Sequence, residues 1–525
     1  MKNIIFVLFA FLISSVSIFA QDIEIGKSYK SKKTIKSEHW QVMTDEGNTF
    51  IIQRAVGKFA RKLYIRKLDK NFNLVKEKKD RVEIGSHAPE FLKAYSFNNE
   101  VYILAQKLAA TYNSSRGMYL LRIDKNTLEV AETITISETE RFEDRAYDLS
   151  YKVCISPDKT KIGFISVYEE GKVDKQQVNF KVFNKEMKLI WAKENTLPFT
   201  TNLFFVRDAK MDNNEDFYIL SRIFQKPQLK NIIFGKDQKY DTKLYVFRDK
   251  STNQEVYPVT VSGAEVGDSK ILVKPNGNLV CAGYYITKYK RKKAATGLFY
   301  KEIGKEKKAL IANSKRSFDK KTIEAMRDIN GVYDVIKVRG SNLDILTVNY
   351  LLLKENGEII LIGEKQYSLI DRVDRNDATD TRSFSTTTYR CDDIIVTTFN
   401  KEGGIKWTTR IAKEQKGSGI IADLSFVAYL ENDNLNLIYN LSKRKEDKPI
   451  PQYYAPSMKP TLINASIDQN GKVTTKKFFE TKENLKKMEG NYVVVPLAAL
   501  KEELENVIII FLNVKKGETR VARIK

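Results

Sequence analysis

Few of the 525 residues carry types and spacings that could do covalent chemistry. The two histidines, His39 and His87, stand far apart and outside any metal-ligand or triad pattern, so they read as solvated or core side chains. Three cysteines cannot form a framework of paired bridges; Cys154 and Cys281 lie in apolar strand patterns, as small buried hydrophobes do. Asp371, Asp374, Asp377 and Asp380 recur at every third position, whereas a helix–loop–helix calcium loop alternates its ligands at every second one. Arg372, Arg375 and Arg382 neutralise those acids locally. No phosphate-cradling glycine loop, GxSxG elbow or CxxC pair is present. The sequence therefore assigns no catalytic residue, no metal ligand and no cofactor. What remains is charge. The run Lys288, Tyr289, Lys290, Arg291, Lys292, Lys293 is the densest cationic stretch of a chain with net charge +23.

The elements that must hold this run repeat along the chain. An apolar strand, a turn of Asn, Asp or Gly and a second apolar strand begin at Trp40, Ala94, Lys152, Arg207, Ile271, Asn349 and Ser425. A second hairpin follows each, beginning at Lys62, Tyr119, Phe180, Lys243, Leu298, Ile394 and Leu462. Asn, Asp and Gly tolerate the positive φ that tight antiparallel reversals require. Repeated four-strand units predict an all-β fold, a β-propeller whose small sheets bury their faces against their neighbours. After the seventh unit, strands begin at Asn491, Asn506 and Thr519, and the segment from Ile23 can supply the missing fourth. Eight blades closed by the N-terminal strand are expected, with seven as the alternative count. Unrelated β-sandwiches are the competing architecture, since regular turn signals mark them too.

In such a unit the long connections fall on one rim. They are 225–242, 287–297, 315–331, 369–391 and 443–460, and together they carry +12, more than half of the net charge. Asp319 is placed to cap a helix whose apolar face is Ile323, Met326 and Ile329, with Gly331 as its stop. Aromatic residues that can stack on sugar rings, Tyr289, Tyr453 and Tyr454 among them, accompany the cations. Lys288, Tyr289, Lys290, Arg291, Lys292, Lys293, Tyr453 and Tyr454 are the candidate ligand-binding residues. A basic cleft concentrates anions, although a charge run can equally be a solvated face.

Met1–Ala20 reads as a secretory leader, with Lys2 as its basic region, the apolar run Ile4–Ile13 and cleavage after Ala20 to leave Gln21 first. That run is too short to span a bilayer, and no later segment is long and apolar enough. One propeller domain over 21–525 is expected, in the periplasm, on the outer surface or outside the cell. "ISPDKTKIGFIS" from Ile155 resembles the blade signature of TolB-type propellers, with Lys159 where that signature has glycine. "LLLKENGEIILIGEKQY", "DDIIVTTFNKEGGIKW" and "NLNLIYN" resemble an uncharacterised family of exported, propeller-like proteins of Bacteroidota-type bacteria. That resemblance implies fold and export only. The expected function is a non-enzymatic binding or scaffold module. Its expected partner is an acidic polysaccharide, lipopolysaccharide or cell-envelope protein rather than nucleic acid. A propeller-type glycan hydrolase or lyase is the alternative.

Overall fold

The computed structural model describes residues 23–524 apart from 31–36, 44–46, 56–61, 85–88, 108–115, 140–148, 169–174, 201–202, 226–238, 249, 251–252, 290–291, 327–345, 374–383, 419–423, 432, 443–452, 455–459, 479–491, 496–507 and 514–517. Eight antiparallel sheets succeed one another as blades over 37–81, 90–139, 149–197, 204–258, 265–317, 346–411, 426–477 and 492–524. In each of the first seven the four strands pair in chain order. The eighth runs Tyr492–Val494, Ile508–Asn513, Glu518–Ile524 and then Ile23–Ile25, so its outermost strand comes from the other end of the chain. Ile23 pairs with Ile524, Glu24 with Arg523 and Ile25 with Ala522. The chain is an eight-bladed β-propeller closed by its N-terminal strand, as the repeat pattern predicts.

Strand alternation builds the ring. Successive side chains point to opposite faces, so each apolar strand feeds two seams at once. Ile509 and Phe511 pack toward the seventh blade with Tyr429 and Ile438, while Ile508 and Ile510 pack toward the first with Ile51 and Leu68. Val280, Ala282 and Tyr284 face the sixth blade, and Leu279, Cys281 and Tyr285 face the fourth. The described residues form eight apolar clusters, and each lies between one pair of adjacent blades. No seam is left open. Burial falls from axis to perimeter: every side chain of Phe217–Phe224, a second strand, is buried, whereas the fourth strand Leu310–Ser317 is mostly exposed.

The tight turns share one rim. Asn98 and Asn99 hold φ of 49° and 60°, and Gly277 and Gly357 hold 78° and 83° at the equivalent reversals. At the outer hairpins an Asx side chain accepts from the turn backbone. Asp69 takes the N–H groups of Asn71 and Asn73, Asp124 those of Asn126 and Thr127, and Asp468 those of Asn470 and Lys472. Asn184 and Asn400 repeat the arrangement. These bonds satisfy backbone donors that the reversal would otherwise leave unpaired. Among the described residues no helix is long and apolar enough to cross a membrane.

Candidate binding rim

The opposite rim is elaborated, though by strands as much as by loops. The described residues of 287–297, expected as a long loop, form a β-ribbon. Leu279–Tyr289 and Lys292–Ile303 stay paired out to Lys288 with Lys293 and Tyr289 with Lys292. Ile286 and Thr287 continue the β-branched pattern, and the hydroxyls of Thr287 and Thr296 meet at 2.9 Å across the ladder. The described residues of 369–391 likewise extend the sixth blade, with Leu369 to Val373 pairing with Phe384 to Thr388. Glu414–Ser418 adds to that ribbon, and Tyr453–Tyr454 then lies parallel to Glu414 and Gln415. The Asp319 cap is present: its Oδ1 accepts from the Thr322 N–H at 2.8 Å at the start of helix α1, Lys320–Met326.

Lys288 is exposed near the end of the fifth-blade ribbon. Tyr289, Lys292 and Lys293 belong to its ladder, whereas Lys290 and Arg291 lie outside the described residues. Tyr453 and Tyr454 belong to the sixth-blade extension, so the candidate set is spread over adjacent blades of one rim rather than gathered at one point. The cleavage pair Ala20 and Gln21, and Asp374, Asp377 and Asp380, also lie outside the described residues.

Three features of this rim had no counterpart in the sequence reading. A cavity of about 410 Å³ opens where the fifth blade meets the sixth, lined by Arg316, Lys321 and Arg410, by Asp319, and by the seam residues Phe318 and Ile395. The Thr322 backbone N–H holds the Asp319 carboxyl below its usual range, with Arg410 contributing. Second, a buried ionic cluster stiffens the root of the sixth-blade ribbon. Lys413 Nζ meets Glu364 Oε1 at 2.6 Å with both side chains fully buried, and donates to Cys391 O at 2.6 Å. Ser425 of the seventh blade donates to Glu364 Oε2 at 2.6 Å. Around them Arg390 pairs with Glu414, Tyr367 donates to Asp392, and Arg410 donates to Asp393 at 3.1 Å. Burial pushes the carboxyls of Asp392 and Asp393 up.

The third feature is a set of bulges in the innermost strands. Register shifts fall between Phe91 and Lys93, Val206 and Asp208, Val266 and Ser269, and Val348 and Tyr350 in the second, fourth, fifth and sixth blades. Bulges re-aim side chains. Here they let Arg207 reach Asp268 at 2.6 Å, Asp268 accept the Val348 N–H at 2.8 Å and Asp208 accept the Ile271 N–H at 2.9 Å. Each bond joins one blade to the next near the axis. A bulge leaves only a one-residue offset in the alternation, too faint to find among unequal repeats.

No family model and no curated protein matches this chain. Among solved structures it is similar to the Dos1 propeller, at 8% identity over 96% of this chain and 95% of that one, with a TM-score of 0.45. A mutant Synechocystis apocarotenoid oxygenase matches at 7% identity over 95% and 93%, with a TM-score of 0.33. An endo-arabinase from Bacteroides thetaiotaomicron matches at 11% over 50% of this chain and 92% of that one, with a TM-score of 0.26. These likenesses assign no role to any residue of this chain.

Proposed function

We propose that the chain is an exported, non-enzymatic propeller that binds an anionic glycan or an acidic cell-envelope partner on its elaborated rim. The observation carrying this reading is the fifth-blade ribbon. Its ladder sets Lys288 directly opposite Lys293, and the segment 287–297 contains no acidic residue. Like charges facing each other across a ladder destabilise it, and a bound polyanion converts that cost into attraction. Cleavage after Ala20 leaves Ile23–Ile25 available for closure, which fits export. The resemblance of 349–525, the last third of the chain, to exported Bacteroidota-type propellers supports the same compartment.

The hydrolase alternative requires two carboxylates free to act as acid and base. Asp208 and Asp268, beside the axis, instead accept hydrogen bonds that hold neighbouring blades together. That commitment favours binding over catalysis. The test replaces Lys288, Lys290, Arg291, Lys292 and Lys293 with Glu and compares binding to heparin and to lipopolysaccharide. The variant is expected to fold normally, because Lys288 is exposed and single surface charges contribute little, and to lose most of its affinity. Equal binding by the two proteins would remove the ribbon from the account.

A further inference from the structure

We propose that the cavity between the fifth and sixth blades is a subsite for a single sugar carrying a carboxylate, such as a uronic acid unit. This deepens the rim reading and rests on it for the ligand class. The cavity, about 410 Å³, falls within the range of small-ligand sites. Its lining is chiefly polar. Ser317, Thr322 and Thr408 supply hydroxyls, and Phe318 and Ile395, buried members of the apolar seam, close its inner side. Arg316, Lys321 and Arg410 supply three cations against two carboxylates, Asp319, whose oxygens already accept from the Thr322 N–H and hydroxyl, and Asp393, which holds Arg410. A sugar acid has this pairing of properties, with hydroxyls for the polar lining and a carboxylate for guanidinium groups to grip.

Arg410 is the fixed element. Its Nη2 is anchored on Asp393 at 3.1 Å, which orients the guanidinium, and the side chain stays partly exposed. Arg316 anchors similarly, donating from Nη2 to Ile405 O at 2.7 Å, and this leaves the rest of its fork available. The cavity also lies at the root of the basic ribbon. Arg316 pairs with Leu298 and Ser317 with Gly297, and Gly297 is five residues along the strand from Lys292. At about 3.3 Å per residue Lys292 stands roughly 17 Å along the strand from the cavity. A polymer engaged by the ribbon can therefore seat one unit in the cavity.

The experiment is calorimetric titration of the mature protein at low salt with glucuronic acid, using glucose and inorganic sulfate as controls. The expected result is saturable binding of one glucuronic acid per chain, no binding of glucose and markedly weaker binding of sulfate. Arg316→Gln with Lys321→Gln, both at exposed positions, is expected to weaken glucuronic acid at least tenfold with an unchanged melting temperature. The ribbon variant with five Glu substitutions is expected to retain glucuronic acid binding while losing heparin. Absence of glucuronic acid binding, undiminished binding by the cavity variant, or sulfate binding as tightly as glucuronic acid would each overturn the subsite. Heparin binding that survives such a result would leave the rim reading standing without it.

Discussion

Closing the ring with an N-terminal strand makes Tyr29 the residue on which the last seam turns. Its ring is 7% exposed and packs in the cluster of Ile51, Leu68, Phe72, Val495, Ile508, Ile510 and Val521, the seam between the eighth and first blades. The Arg66 guanidinium lies 5.6 Å from its centroid. Tyr29→Ala empties this position. Truncating a buried aromatic to alanine costs about 3–5 kcal/mol. At about 2.1 cal/mol/K per residue, a domain of roughly 500 residues unfolds with an entropy near 1 kcal/mol/K, so the melting temperature should fall by about 3–5 °C. Tyr29→Phe, which keeps the ring and removes only the hydroxyl, should shift by about 1 °C or less. Calorimetric melts of both variants are the assay. Removing residues 21–30 should do more, since it also strips the ladder partners of Ala522, Arg523 and Ile524 and exposes an edge prone to association. A Tyr29→Ala protein melting within a degree of wild type, together with a truncated protein that stays monomeric and equally stable, would refute closure by this strand.

Two further outcomes follow from the same structure. Mass spectrometry of the exported protein should find Gln21 as its first residue, and a retained Met1 would remove the basis for export. Lys413→Met leaves the buried Glu364 carboxylate without its cation and should cost about 3–5 kcal/mol in urea melts. Adding Glu364→Gln should restore more than half of that loss, and a single variant within about 1 kcal/mol of wild type would mean the pair is not a structural bond.

Turn chemistry and alternation made the architecture readable. Asx and Gly residues at each reversal fixed the hairpins, and "NVIIIFLNV" announces a strand buried on both faces, as Ile508 to Phe511 are. Closure was legible because three strands remained at one end and one at the other. The rim was legible as charge and not as shape. Thr386, Thr387 and Thr388 are β-branched and extend a ladder where insertion length alone implies a loop. The cavity was hidden for another reason: Arg316 and Arg410 occupy fourth strands of different blades, positions that alternate like any solvent-facing strand. Only the lateral packing of the fifth blade on the sixth brings them together. The Glu364 and Lys413 pair was likewise invisible, since a charged residue in a strand normally faces water.

The central claim, that the elaborated rim engages a polyanion through its cationic ribbon, is tested most directly by the salt dependence of heparin binding to the mature wild-type protein. Neutralising polymer charges releases condensed counterions, so the logarithm of the association constant should fall linearly with the logarithm of salt concentration. With all five cations of the 288–293 run engaged, at about 0.7 counterions per contact, the slope should be roughly −3.5, and the five-Glu variant should lose most of it. A slope near zero, or no measurable binding even at low salt, would contradict the claim and return the ribbon to the role of an ordinary solvated surface.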